Sequence, residues 1–276
     1  MSTGFTYLQF HLVFLVPVVA TLVALDVWRR SRSDEAGYAA GGPNAWRNYW
    51  AGLALVTVVA LAYTTPWDNS LVARGVWWYG DGVVFATVGY APVEEYLFIL
   101  IQPVLTGLWL AQLTFSDRWP VADHPRGSRF GALALAIGIG LFGWRWLGTD
   151  ATVYLGSIAV WAAPVLALQW VVGAPQLWAR RRVVALGTLP PTLYLCVADR
   201  IAIEHGVWIL SSQYTTGFTL GGLPIEEGAF FLLTNLFVVQ GLVLYRLVTR
   251  RRARGDELDR QTGRAESKRS AVGGDR

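Results

Sequence analysis

Seven stretches of this chain stay apolar over about the twenty residues that a helix needs to cross a bilayer. They are Phe5–Trp28, Trp46–Pro66, Pro92–Leu113, Phe130–Leu147, Thr152–Val172, Arg182–Val197 with an extension toward Ile203, and Pro224–Val248. Backbone polar groups in lipid must be satisfied within the segment, so the expected fold is all-α, a polytopic membrane bundle of about seven transmembrane helices. Composition agrees: 15% of the 276 residues are charged, against roughly 25% in a soluble domain. Mean hydropathy is +0.38. Fourteen Trp suit a protein with two membrane–water interfaces. The first run is too long for a signal-peptide core and no small-residue cleavage site follows it, so it is expected to be retained. The sixth carries Pro190-Pro191, which should kink it or break its hydrogen-bond ladder.

The net charge of +4 does not imply nucleic acid, because the arginines sit in loops and in the tail. Arg29, Arg30, Arg32 and Arg47 follow the first span, Arg118, Arg126 and Arg129 the third, and Arg180, Arg181 and Arg182 the fifth. The tail from Arg246 is densely basic, while the alternate loops hold only Arg74, Arg145 and Arg200. The positive-inside rule then predicts a multi-pass cell-membrane protein with its N-terminus outside and its C-terminus in the cytoplasm. The polar tail over residues 251–276 is expected to be disordered. Cys196 stands alone, so neither an intramolecular disulfide nor a cysteine metal cluster is expected.

Two stretches match each other. Asp68, Gly75-Val76-Trp77 and Pro92-Val93-Glu94-Glu95 recur as Asp199, Gly206-Val207-Trp208 and Pro224-Ile225-Glu226-Glu227. Asp precedes Trp by nine residues in both, and Trp precedes Pro by fifteen and sixteen. The implied unit is three spans, giving tandem repeats over residues 1–115 and 149–250, joined by a linker with the fourth span over 116–148. An odd linker makes the copies parallel, related by an axis along the membrane normal. Both acidic motifs, with Asp68 and Asp199, are then expected at one membrane level.

A Pro at the first helical position followed by acids is also an ordinary helix start, each acid adding about 0.3–1 kcal/mol through the helix dipole. Three features point further. The motif is duplicated in frame. Its neighbours are apolar, Phe98 in one copy and Phe230 in the other among them. Gln102 and Thr234 lie seven residues beyond Glu95 and Glu227, two turns down the same face. Charge within a membrane is costly and usually serves a site. A carboxylic acid in such surroundings can keep its proton at neutral pH and act as an acid. Glu94, Glu95, Glu226, Glu227, Asp68 and Asp199 are therefore the candidate catalytic groups. Trp77, Trp78 and Trp208 are either interface anchors or pocket walls, and Arg74 and Arg200 are expected to pair with carboxylates.

Other patterns carry less. Gly138-Ile139-Gly140-Leu141-Phe142-Gly143 fits a dinucleotide fingerprint but lies inside an apolar span, where close helix packing is the better reading. His11, His124 and His205 show no metal spacing, and no metal site is expected. Clustered acids without a nucleotide loop leave three classes: an enzyme that protonates a lipid-soluble alkene, an ion- or proton-coupled transporter, and a retinal protein. The last needs a Lys in the final span, and the only Lys is Lys268, in the tail.

The paired Pro-x-Glu-Glu helices, each preceded by Asp and Gly-Val-Trp, resemble the membrane lycopene cyclases of archaea, actinobacteria and fungi, in the form that fuses two cyclase domains. The resemblance covers the chain to about Arg250. It implies cyclisation of the linear ends of lycopene to β-ionone rings, through γ-carotene to β-carotene, as an isomerisation without cofactor or net redox change. The six acids match the family's motif positions, with Trp77, Trp78, Trp208, Phe98, Phe230, Gln102 and Thr234 as the implied pocket. The implied partners are lycopene and other carotenoids drawn from the bilayer, membrane lipids, and other carotenoid enzymes or carotenoid- or retinal-using proteins. Gly228 stands where the first copy has Tyr96, so the copies need not be equivalent.

Overall fold

Helices make up most of the chain in the computed structural model, which describes residues 5–32, 43–113 and 127–273. In chain order they are α1 (Tyr7–Phe10), continued through a π-helical turn at His11–Leu15 into α2 (Val16–Arg32), then α3 (Pro43–Arg74), α4 (Val93–Gln112), α5 (Gly127–Trp146), α6 (Val153–Ala179), α7 (Arg181–Glu204) and α8 (Ile225–Gly273). Five stretches, Tyr7–Arg32, Trp46–Arg74, Val93–Gln112, Asp150–Ala179 and Ile225–Thr249, are long and apolar enough to cross a membrane by length and composition. The two remaining expected spans form the helices α5 and α7. Arg118, Arg126 and His124 lie outside the described residues.

Several expectations are corrected. Helix α3 runs through Pro66 to Arg74, so Asp68 sits in a helix, beyond the expected end of the span. Helix α7 is continuous through Pro190-Pro191. Pro190 has no N–H for the Leu186 carbonyl, and Trp109 on α4 supplies one instead, its Nε1–H donating at 2.8 Å. Pro92 is the N-cap of α4 with extended dihedrals, not its first helical residue. Helix α8 continues to Gly273, where a disordered tail was expected. Once a span has nucleated a helix, each further Arg, Ala, Glu or Leu adds at low cost, and the polar composition does not oppose that.

Between helices the two halves of the chain use the same devices. Both α3 and α7 end in a Schellman motif: Val76 N–H donates to Leu71 O and Gly75 N–H to Val72 O, as Val207 does to Ala202 O and Gly206 to Ile203 O. Gly75 and Gly206 occupy the left-handed position, at φ 76° and 68°. That requirement explains the repeated Gly of Gly-Val-Trp. Strands β1 (Trp77–Tyr79) and β4 (Trp208–Leu210) then pair antiparallel, Trp77 opposite Leu210 and Tyr79 opposite Trp208. Each is followed by a two-residue hairpin, β2 (Thr87–Val88) with β3 (Ala91–Pro92) and β5 (Thr219–Leu220) with β6 (Leu223–Pro224). Gly89 opens the first turn, and Gly221-Gly222 form the second, all with positive φ. Each hairpin feeds directly into α4 or α8.

Helix α4 packs against α2, α3, α7 and α8, while α5 packs on α6. A Cβ on Gly143 would lie 2.6 Å from Ala159 Cβ and 2.8 Å from Gly156 O, and one on Gly140 3.1 Å from Ala163 Cβ, so these two glycines of α5 serve close helix packing, whereas Gly138 faces open space. Inside the bundle Gln102 and Thr106 of α4 donate to Asn235 of α8, whose Nδ2 donates to Thr192 of α7 at 3.1 Å. This buried network ties three helices together in a medium that offers no water.

Candidate active site

The two residues of each Glu pair are separated by their register. Helical neighbours point about 100° apart, so one of the pair faces the preceding loop and the other the bundle interior. Glu94 Oε1 accepts the Phe85 backbone N–H at 2.7 Å, and Glu226 Oε1 accepts that of Thr216 at 2.7 Å. The first Glu of each pair thus clamps the hairpin that leads into its helix. The second enters the cavity. Glu95 Oε2 accepts the hydroxyls of Tyr7 at 2.8 Å and Tyr79 at 3.1 Å. Glu227 Oε1 accepts the hydroxyl of Tyr154 at 2.9 Å.

One cavity of about 50 Å³ collects the second Glu of each pair with both preceding aspartates: Asp68, Glu95, Asp199 and Glu227 all line it. Asp68 and Asp199 come from near the C-terminal ends of α3 and α7, Glu95 and Glu227 from the N-termini of α4 and α8. Asp68, Asp199 and Glu227 are buried, and Glu95 is partly buried. Asp68 Oδ2 and Asp199 Oδ2 lack a hydrogen-bond partner. The rest of the wall is largely aromatic: Tyr7, Phe10, Trp67, Trp77, Phe98, Trp208, Phe230 and Phe231. Burial, and next the Glu95 carboxylate, push the Tyr79 phenol well above its ordinary value, so it stays a hydrogen-bond donor across the neutral range.

Six candidate carboxylates therefore divide into four that line the cavity and two, Glu94 and Glu226, that do not. Trp77, Trp208, Phe98 and Phe230 line the cavity. Trp78 does not: strand alternation turns it outward, 47% exposed, between Trp77 and Tyr79. Gln102 and Thr234 line a separate apolar groove below, with Phe98 and Phe230 shared between the two spaces. Arg74 pairs with Asp150 at 3.5 Å and Arg200 with Glu204, so these two arginines pair with carboxylates outside the cavity. Among the described residues, no group of three or more His, Cys, Asp and Glu is arranged to hold a metal ion.

Tyr7, Tyr79, Tyr154 and Trp67 belong to the site geometry and were not among the sequence candidates. Tyr79 follows Trp77 by two and shares its strand face, a signal available from strand alternation. Tyr7 and Tyr154 arrive from the N-terminal ends of α1 and α6, remote in sequence, and nothing local marks them. His11 is buried beside Tyr7, with Nδ1 2.9 Å from the Tyr7 carbonyl oxygen.

A protein-family model described as lycopene cyclase matches residues 42–112 and 150–245. A lycopene beta-cyclase of Halobacterium salinarum is 51% identical over 242 residues, which is 87% of this chain and 98% of that protein. A bifunctional lycopene cyclase/phytoene synthase of Blakeslea trispora is 32% identical over 247 residues, 85% of this chain and 38% of that protein. One of Aspergillus oryzae is 32% identical over 255 residues, 87% of this chain and 39% of that protein. No solved structure matches the chain.

Proposed function

This chain belongs to the lycopene cyclase family, and from that premise we propose that it cyclises the linear ends of lycopene to β-ionone rings, giving γ-carotene and then β-carotene. The observation that carries the chemistry is the meeting of Asp68, Glu95, Asp199 and Glu227 in one aromatic-walled cavity among apolar helices. A carboxylic acid of this set adds its proton to the terminal double bond of a lycopene end. The resulting tertiary cation is attacked by the neighbouring double bond, which closes the six-membered ring and moves the positive charge onto a ring carbon. A second carboxylate removes a ring proton, restoring a double bond. One proton enters and one leaves, so the product is an isomer, the enzyme acts as an intramolecular lyase, and neither an electron carrier nor a cofactor takes part. The negative faces of Trp67, Trp77, Trp208 and Phe230 suit the passing cation, and the same closed wall keeps water from capturing it. Tyr7, Tyr79 and Tyr154 hold Glu95 and Glu227 in place by hydrogen bonds.

The membrane arrangement is part of the same reading. Seven transmembrane helices form two parallel three-span repeats, over 1–115 and 149–250, with 116–148 as linker. Support comes from the matching order of helix, strand, hairpin and helix on either side of α5, and from the β1–β4 register. Trp77 and Tyr79 pair with Leu210 and Trp208, the residues at their own repeat positions exchanged, as a local two-fold axis requires. The family match also falls in two segments, which leave 113–149 between them. The arginine distribution supports a cavity near the outer surface and a cytoplasmic C-terminus. Lycopene then enters from the bilayer, and other carotenoid enzymes or carotenoid-using proteins are the natural neighbours. The transporter alternative finds no support among the relatives.

The test is expression in a lycopene-accumulating bacterium with separation of the pigments by chromatography. Conversion to γ- and β-carotene is expected. Unchanged lycopene in cells that hold folded, membrane-inserted protein refutes the reading.

A further inference from the structure

The acid cavity is too small to hold a long polyene, yet it adjoins a larger space. A groove of about 380 Å³ runs between α3, α4, α6 and α8, beginning at Phe98 and Phe230, which also wall the cavity. From Phe230 to Gly241 it follows α8 for eleven residues, about 16 Å at 1.5 Å per residue. Every helix of its wall carries a group of the acid site at one end and groove residues toward the other. Asp68 leads α3, Glu95 α4, Glu227 α8 and Tyr154, the hydrogen-bond partner of Glu227, α6.

The groove opens sideways. Leu55, Val59 and Leu168 on its rim are 52%, 54% and 67% exposed, in helices that face lipid. Tyr63, Thr64, Gln102, Gln169 and Thr234 are the polar residues on its wall, and four of them are engaged with protein: the Tyr63 hydroxyl donates to the Trp161 carbonyl at 2.8 Å and Gln169 Nε2 to that of Phe237 at 2.9 Å. Gln102 Nε2 donates to Thr106 and Asn235 inside the bundle, and Thr234 Oγ1 donates to the Phe230 carbonyl at 2.9 Å. Apart from Gln169 Oε1 and Trp161 Nε1, which lack a hydrogen-bond partner, the wall is largely hydrocarbon. Its boundary with the acid cavity is a set of stacked rings: Trp67 lies 4.9 Å from Trp161 and 5.7 Å from Phe230, centroid to centroid. Phe230 is only half-buried, and a change of its rotamer would join the two spaces.

We propose that this lipid-open groove is the binding site for the unreacted stem of the linear polyene, whose end group passes between Phe98 and Phe230 to the four carboxylates. The occupant is a linear hydrocarbon because the groove is long, apolar, open to the bilayer and continuous with a site that handles one end of such a molecule. Acyl chains of membrane lipid fit the groove too, but the continuity with the acids favours the substrate. The proposal rests on the cyclase reading above and adds the path by which the substrate is held.

The experiment fills the groove away from the acids. Ala60 lies eight residues before Asp68 on α3, about 12 Å along the axis. Leu168 lies further along α6 on the exposed rim, where a larger side chain narrows the mouth of the groove without displacing core. Ala60→Trp and Leu168→Trp proteins in liposomes are given lycopene and, separately, a truncated acyclic apocarotenoid that keeps one lycopene end group but has a stem too short to reach Ala60. The expected result is a loss of lycopene cyclisation of about tenfold or more, with cyclisation of the short substrate within about threefold of wild type, where tenfold corresponds to 1.36 kcal/mol. Retained activity on the short substrate shows that the variants fold. Equal effects on both substrates, whether full activity or common loss, overturn the groove assignment. Wild-type protein that leaves both substrates unchanged removes the cyclase reading and the groove with it, whereas wild type that converts both isolates any failure to the groove.

Discussion

Glu94 and Glu95 are adjacent and alike in chemistry, so exchanging each for Gln separates the roles that the register gives them. Glu94→Gln keeps an amide oxygen that can accept the Phe85 N–H now bonded at 2.7 Å. What it loses is a charge in the first turn of α4, about 0.3–1 kcal/mol through the helix dipole. Even if all of that appeared in the barrier, turnover would fall less than about sixfold, because a tenfold change needs 1.36 kcal/mol. Glu95→Gln keeps the shape and one acceptor for Tyr7 and Tyr79, but an amide neither gives nor takes the proton. Removing a positioned acid or base costs on the order of 10²–10⁴ in rate. The neighbours should therefore differ by at least about fifteenfold, the ratio of those two bounds. The assay is initial-rate cyclisation of lycopene in isolated membranes, normalised to folded protein, with products separated by chromatography. The Glu226→Gln and Glu227→Gln pair is the internal repeat of the experiment. If Glu94→Gln falls as far as Glu95→Gln, or if Glu95→Gln retains full activity, the division between loop clamp and cavity acid is wrong.

Glu94→Ala, which leaves the Phe85 N–H without its acceptor, should lower stability in detergent by about 1.5–3 kcal/mol, the range for a hydrogen bond to a charged group, read as an earlier thermal midpoint than Glu94→Gln. Tyr154→Phe removes the O–H bonded to Glu227 and should slow cyclisation by up to about a hundredfold, the most that 1.5–3 kcal/mol allows when it is expressed in the barrier; a rate equal to wild type would show that the phenol does not position the acid. Tyr79 bears on alkaline stability. Its folded value is raised by burial and by Glu95, so the stability it contributes is complete below its ordinary value of 10.0 and is lost as pH rises toward the folded value. Alkaline unfolding should accordingly move to higher pH in Tyr79→Phe, followed by tryptophan fluorescence. Trp109→Phe leaves the Leu186 carbonyl beside Pro190 without its donor and should cost about 1–3 kcal/mol in thermal or denaturant unfolding.

The apolar helices and the duplicated motif were legible because they are local: apolar runs, a nine-residue spacing from Asp to Trp, and a Gly that the Schellman motif requires. Which member of each Glu pair faces the cavity was not legible. That depends on where the helix begins, and the shift of Pro92 from first helical residue to N-cap is enough to change the face each Glu presents. The same limit explains Trp78. The residues at 77–79 form a strand of period two, so Trp77 and Tyr79 face one side and Trp78 the other, and a reading in spans and loops does not contain that alternation. Tyr7 and Tyr154 were hidden for a different reason. They lie outside the matched Asp, Gly-Val-Trp and Pro-x-Glu-Glu stretches and reach Glu95 and Glu227 only through packing between helices distant in sequence.

The duplication itself constrains the chemistry more than either copy does. Under the two-fold relation proposed above, a site on the axis receives matched pairs, and the cavity holds two aspartates, two glutamates and two of the repeated tryptophans. Acid-base cyclisation needs the members of such a set to differ at any one moment, one giving a proton while another takes one. The surroundings supply that difference. Glu95 accepts two phenols and Glu227 one, and Tyr96 in the first copy, bonded to Asn69 and to the Val88 carbonyl, is replaced by Gly228 in the second. Tyr7 and Tyr154 serve the two glutamates alike, and Tyr79, in whose place the second half has Leu210, makes their surroundings unequal. Exchanging the hydrogen-bond environments should therefore matter more than exchanging the acids: Tyr7→Phe, which leaves Glu95 with a single phenol like Glu227, is expected to lower the rate of cyclisation without moving the thermal midpoint by more than the roughly 1 kcal/mol of one neutral hydrogen bond. A Tyr7→Phe protein with an unchanged rate would mean that the asymmetry lies elsewhere than in the phenols.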